Sequence, residues 1–148
     1  MKINFLLPHI RLSGGVKALL EYANRLNRIG HEVRVLVPRK SPKWYQFIEK
    51  QVMRNHELKS LLPETIEWMD NNLPIETFLE SKKCSLPDSD ILVASAWQNA
   101  EFAATLPLKK GALFYFILHY ESLWTRNPKR ALKTYDLSCE MLTCSTWL

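Results

Sequence analysis

The chain has 148 residues, a net charge of +5 and 47% hydrophobic residues, which fits one globular domain and excludes a disordered chain. Its basic residues fall in small groups without a nucleic-acid-binding motif, so we expect no nucleic-acid partner. The three cysteines predict reduced thiols, and no metal site is expected. The apolar start is too short for a signal peptide or a membrane span, which predicts a cytoplasmic protein.

Short apolar runs alternate with amphipathic stretches along the chain. Five runs predict strands, over residues 3–7, 33–37, 91–94, 112–118 and 141–144. Several runs are continuously apolar, which is typical of parallel strands covered on both faces. Between the first two, apolar residues recur at helical spacing over 16–29 and stop at Gly30, which predicts a βαβ unit.

The region 41–86 has the weakest pattern, and its prolines mark loop boundaries. We predict a helix over 44–53 and a short strand over 65–69. Further helices are predicted over 97–106 and 127–135, and Ser145 stands where it would cap a final helix. This alternation predicts a single α/β domain over residues 1–148, a doubly wound parallel sheet in a Rossmann-like three-layer sandwich.

Ligands of such sheets bind outside the carboxyl ends of the strands. Gly14 and Gly15 precede the first helix, where backbone N–H groups suit a diphosphate, although a plain tight turn is the alternative. The spacing is not G-x-G-x-x-G and no acidic residue ends the second strand, so a dinucleotide is disfavoured. The turn containing this glycine pair and the turn after the fourth run are expected at the same edge of the sheet.

Other candidate groups follow the later strands. Ser95 and Trp97 either contact a ligand or serve as a helix cap and a packing residue. His119 and Tyr120 stand beside Glu121, and a His next to a carboxylate can hydrogen-bond a sugar or tune proton transfer, with a structural His as the alternative. Ser145 is a helix cap first and a ligand contact second.

Three stretches, taken in order, carry a resemblance to a known family. They are G-G-V with A-x-x-L-x-x-x-G-H-E-V-x-V (14–16 and 23–35), D-I-L-V-A-S-A-W (90–97), and F-Y-F-I-L-H-Y-E (114–121). The final S-T-W-L resembles an S-x-W-L helix start. Together they resemble the N-terminal half of retaining GT-B glycosyltransferases, the family that includes sucrose synthases, mannosyltransferases and bacterial rhamnosyltransferases.

The resemblance implies two Rossmann-like domains facing each other across a cleft. The N-terminal domain mainly binds the acceptor, and the C-terminal domain binds the nucleotide sugar through an acidic pair, without a metal. It implies that Gly14 and Gly15 approach the donor diphosphate and that His119 contacts the donor sugar near its anomeric carbon. Tyr120 and Glu121 would line the cleft.

We therefore expect a hexosyltransferase domain whose partners are a nucleotide sugar and a carbohydrate or lipid-linked acceptor. His119 and Glu121 are the catalytic candidates. Because the donor-binding domain is absent from the 148 residues, we expect a domain fragment that does not catalyse transfer alone. The basic groups leave peripheral membrane association, at the inner face of the membrane, open. Competing hypotheses are a non-catalytic sensor of a small ligand and an interaction domain with exposed tryptophans.

Overall fold

The computed structural model describes residues 1–39, 66, 68–70, 72–79 and 86–146. The described strands are β1 (Lys2–Leu6), β2 (Glu32–Arg39), β3 (Ile75–Leu79), β4 (Ile91–Ser95), β5 (Ala112–Ile117) and β6 (Glu140–Thr143). The described helices are α1 (Gly14–Arg28), α2 (Trp97–Ala103) and α3 (Pro128–Lys133), with 3-10 turns at Leu108–Lys110, Glu121–Trp124 and Thr134–Asp136. None of the helices within these ranges is long and apolar enough to cross a bilayer.

The six strands form one sheet in the order β3-β2-β1-β4-β5-β6, and every pair is parallel. The predicted α/β class with a doubly wound parallel sheet is confirmed. The strand order reverses between β1 and β4, and this is the Rossmann order whose ligand crevice lies outside the carboxyl ends of those two strands. We call this side of the sheet the carboxyl edge and the opposite side the amino edge.

Two cores lie on the two faces of the sheet. Ile3 and Phe5 of β1 belong to one core together with the apolar stripe of α1. Leu6, which points to the other face, belongs to the second core with Ala100 and Ala103 of α2. Helices therefore cover both faces, and the sandwich has three layers. Each fully buried aliphatic side chain contributes about 1.5–3 kcal/mol.

The predicted strand over 65–69 is wrong for its described members, because Ile66, Trp68 and Met69 lie outside any strand. They are apolar because they pack against the core under α1, and the Trp68 indole N–H donates to the Ile10 carbonyl oxygen at 3.3 Å. The third strand is instead β3. Among the described strands β3 pairs with β2 alone, and the polar residues Glu76 and Thr77 leave it without a continuous apolar run.

The other predicted elements differ from the observed ones mainly at their ends. α2 ends at Ala103, because the N–H groups of Thr105 and Leu106 bond three residues back and Pro107 follows. The helix predicted over 127–135 is α3 followed by a 3-10 turn. The helix predicted over 44–53 and the helix predicted to follow Ser145 lie outside the described residues.

Candidate ligand site at the carboxyl edge

The N-terminus of α1 opens onto the carboxyl edge, directly after β1. Ser13 caps the helix in an extended conformation, and its Oγ accepts from the Val16 N–H at 3.3 Å. The first backbone bond of the helix runs from Lys17 N–H to Ser13 O, so the N–H groups of Gly14 and Gly15 precede the helical ladder. Such groups are suited to an anion.

The two glycines have different surroundings. A Cβ at Gly14 would meet nothing within 4 Å, whereas a Cβ at Gly15 would stand 2.9 Å from Leu118 Cδ1. Leu118 directly follows β5. Gly15 therefore lets α1 start against the end of β5, and Gly14 leaves open space at the helix start. The expectation that the glycine turn and the histidine turn lie at the same edge is confirmed.

The turn after β4 stands between these two turns. Ser95 is buried, and Ala96 adopts φ 67° and ψ 140°, a left-handed conformation that alanine rarely takes. The buried Asn99 side chain donates to the carbonyl oxygen of Leu6 at 3.2 Å, which ties α2 to the end of β1. Backbone strain of this kind costs about 1–3 kcal/mol and is concentrated at functional sites.

His119 and Glu121 sit on the turn after β5. The His119 side chain is half exposed, and its Nδ1 lies 4.0 Å from a carboxylate oxygen of the buried Glu121. That carboxylate also accepts a hydrogen bond from the Trp97 backbone N–H, so it joins the β5 turn to the start of α2. The Glu121 backbone N–H donates to the Tyr135 hydroxyl at 3.0 Å. Glu121 thus contacts His119 and Trp97 through its carboxylate and Tyr135 through its backbone. The His119 side chain is the more accessible of the pair.

Burial raises the pKa of the Glu121 carboxyl, while His119 and the Trp97 N–H draw it back toward its usual value. A carboxyl group that resists ionisation and neighbours an imidazole can hold a proton or position its neighbour. The two residues therefore have the chemistry of an acid–base pair at the carboxyl edge.

Aromatic side chains pack behind this pair. Tyr135 stacks between Tyr115 and Tyr120, with ring centroids 6.2 Å and 6.0 Å apart. Within the described residues, the buried Tyr115 hydroxyl has no hydrogen-bond partner. The neighbouring Thr134 hydroxyl donates to the Ala131 carbonyl oxygen at 2.6 Å. Burial strongly raises the pKa of Tyr115, so the phenol stays neutral.

Trp97 and Ser145 make packing or backbone contacts, whereas the His119 side chain is half exposed. The Trp97 ring is buried, and the Arg130 guanidinium lies over it at 5.5 Å from its centroid, which matches the packing alternative for this residue. The Ser145 carbonyl oxygen accepts from the Thr143 hydroxyl at 2.9 Å. Cys144 Sγ lies 3.9 Å from the Leu118 carbonyl oxygen, so the end of β6 adjoins the end of β5.

The sequence pointed to the segment 95–99 but did not predict the positive φ of Ala96 or the hydrogen bond from Asn99 to Leu6. An alanine does not predict a positive φ, because glycine and, less often, asparagine are the residues that commonly adopt that conformation. The signal for Asn99 was weak, because Gln98 and Glu101 are polar residues of α2 as well. Within the described part of the chain, no three potential ligands are grouped so that they could hold a metal ion.

A concavity lies at the amino edge, lined by Met1, Lys2, Gly30, Glu32 and the 88–90 turn. Its polar groups are bonded within the protein, as when the Lys2 N–H donates to Asp90 Oδ2 at 2.7 Å. Because ligands of parallel sheets bind at the opposite edge, we assign no function to it.

The parallel sheet, with helices on both faces, defines a Rossmann-like α/β domain. No protein-family model matches the chain, and no curated protein is significantly similar to it.

Proposed function

We propose that this chain is the acceptor-side domain of a retaining glycosyltransferase that uses a nucleotide-sugar donor. The observation that carries the proposal is the meeting of two turns at the switch point. Gly15, in the glycine pair that begins α1, lies close enough to Leu118 that a Cβ would clash with it, and His119 follows Leu118 directly. A helix start suited to anions thus adjoins a half-exposed histidine, and this arrangement suits transfer from a sugar diphosphate.

In this proposal the N–H groups of Gly14 and Gly15 face the donor diphosphate, and the open space at Gly14 admits it. His119 contacts the sugar near its anomeric carbon. Glu121 acts through His119, since its carboxyl group is buried and already bonded to Trp97. The acceptor hydroxyl replaces the nucleotide on the same face of the sugar.

The proposal requires a donor-binding domain in addition to these 148 residues, because the acidic pair of the resembled family comes from that domain. The domain by itself is expected to bind ligands weakly and to turn over no nucleotide sugar. In such enzymes both domains contact the ligand, so one domain alone provides only part of the binding free energy.

Titration of the ¹⁵N-labelled chain with UDP-glucose, GDP-mannose and pyrophosphate, followed by NMR, tests the proposal. We expect the largest amide shift changes at Gly14, Gly15 and His119. Gly14→Val should keep the fold, because a Cβ there meets nothing, and should weaken the response by roughly tenfold through blocked approach. Ala112→Val, at an exposed residue of the amino edge, is the matched control.

Three outcomes would contradict the proposal. Shift changes confined to Gly30, Ser89 and Asp90 would move the site to the amino edge. Binding of neutral small molecules at the crevice, without any response to nucleotide sugars or pyrophosphate, would favour the sensor hypothesis. Turnover of a nucleotide sugar by the purified chain would contradict the requirement for a second domain.

A further inference from the structure

Two large apolar side chains protrude from the turn that follows the candidate site. Leu123 and Trp124, at the end of the 3-10 turn Glu121–Trp124, are 70% and 79% exposed. Tryptophan is normally well buried, and an exposed adjacent Leu-Trp pair costs solubility without stabilising the fold. The pair is therefore a candidate contact surface.

Exposed cations accompany this pair. Arg126 follows Trp124 by two residues, and α3, which packs against the 3-10 turn, carries Lys129 and Lys133 one helical turn apart. Ala131 is the buried residue of α3, so the two lysines lie on the opposite, outward side of the helix. Across the described ranges no carboxylate pairs with Arg126, Lys129 or Lys133, whereas Arg130 bonds to Glu101 at 2.6 Å.

We propose that Leu123, Trp124, Arg126, Lys129 and Lys133 form a basic-aromatic surface that docks on an anionic lipid bilayer. Tryptophan favours the headgroup level of a membrane, where its ring is in apolar surroundings and its N–H stays hydrated. Leucine adds apolar area below it. Each cation near an anionic bilayer contributes about 1 kcal/mol, and long lysine side chains reach the headgroups easily.

The composition favours a bilayer over a protein partner. Protein interfaces are depleted in lysine and centre on anchors that fill a desolvated pocket. Here lysines accompany a pair of protruding side chains, which is the pattern of interfacial membrane anchors. Stable anchoring usually combines two such signals, apolar insertion and a basic patch, and both are present. The inference does not depend on the proposed transferase activity.

Co-sedimentation of the full chain with phosphatidylcholine vesicles, with and without phosphatidylserine, tests the inference. We expect binding only to vesicles that contain phosphatidylserine, weakening as salt screens the charges. Leu123→Ser with Trp124→Ser should lower the partition coefficient by roughly tenfold or more. Lys129→Gln with Lys133→Gln should lower it about fivefold for each charge removed.

Matched controls come from the amino edge. Leu108→Ser removes an apolar side chain that is 92% exposed, and Lys109→Gln removes the neighbouring charge. Both should bind vesicles like the original chain, and circular dichroism should show all variants folded. Absence of binding to phosphatidylserine vesicles, or an equal loss in the controls, would overturn the inference. So would sedimentation velocity showing a dimer that Trp124→Ser dissociates, because a second copy would then be the occupant.

Discussion

The two edges of the sheet use polar residues in opposite ways. At the amino edge, polar groups hold the backbone together. The buried Lys110 ammonium bonds to the Leu86 carbonyl oxygen and pairs with Asp88 at 2.7 Å, and the Ser89 hydroxyl donates to the Lys110 carbonyl oxygen at 2.5 Å. The Lys110 ammonium holds the pKa of the Asp88 carboxyl below its usual value. These groups stabilise the domain.

At the carboxyl edge the same types of group are held at an energetic cost. The Glu121 carboxyl is buried with a raised pKa, Ala96 is strained, and the first N–H groups of α1 precede the helical ladder. Unfavourable burial and strain persist where function needs them. The amino edge stabilises the domain, and we propose that the carboxyl edge serves a ligand at some cost in stability. Substitutions on each edge test that distinction.

The largest expected effect is at the amino edge, with Gly111→Ala. Gly111 has a φ of +117°, and a Cβ there would stand 2.7 Å from the backbone carbonyl carbon of Ile91. Because the positive φ and the clash both involve fixed backbone, small shifts cannot relieve them. We expect a loss of about 3 kcal/mol in the free energy of unfolding. Urea denaturation measures it.

Gly14→Ala at the carboxyl edge is the matched control, because its Cβ would meet open space. We expect a change below about 0.5 kcal/mol there. Equal losses at the two glycines would show that both edges are structural and would remove the contrast.

The parallel sheet was predictable because the runs of β4 and β5 are continuously apolar and those of β1 and β2 contain one polar residue each, Asn4 and Arg34. The edge strand β3 was not, since its solvent-facing positions break the run, and the segment 66–69 resembled a strand because core packing also selects apolar residues. Sequence placed the His119 turn at the correct edge by topology alone. It did not predict that Glu121 turns inward to the Trp97 N–H, which depends on how α2 starts.

An intermediate effect is expected at the carboxyl edge, with Glu121→Gln. Burial raises the pKa of this carboxyl in the folded state above its unfolded value. The stability that its protonated form provides is therefore complete below the unfolded pKa and is lost as the pH rises through the folded pKa. A neutral glutamine can still accept from the Trp97 N–H and avoids that loss. We expect a gain of about 1 kcal/mol at pH 7–8, or roughly 3 °C in the melting temperature.

Thermal denaturation between pH 4 and pH 8 checks this, because the gain should shrink toward low pH. Glu101→Gln, which removes a partly exposed carboxylate of α2 that pairs with Arg130, is the control and should show no such growth with pH. A Glu121→Gln variant that is less stable at every pH would mean that the charged carboxylate stabilises the turn, and Glu121 would then belong with the structural residues of the amino edge.

The smallest expected effect is at Ala96, where φ is 67°. Glycine adopts this conformation without a steric cost, so Ala96→Gly removes about 1–2 kcal/mol of strain, and the greater freedom of glycine in the unfolded chain offsets about half of it. We expect a net gain of about 0.5 kcal/mol in the free energy of unfolding by urea denaturation. Ala104 caps the C-terminus of α2 in the right-handed helical conformation. Ala104→Gly should therefore lower the free energy of unfolding by a similar amount. If both substitutions destabilise equally, Ala96 is not strained in solution, and the carboxyl edge holds less stored energy than the backbone geometry implies.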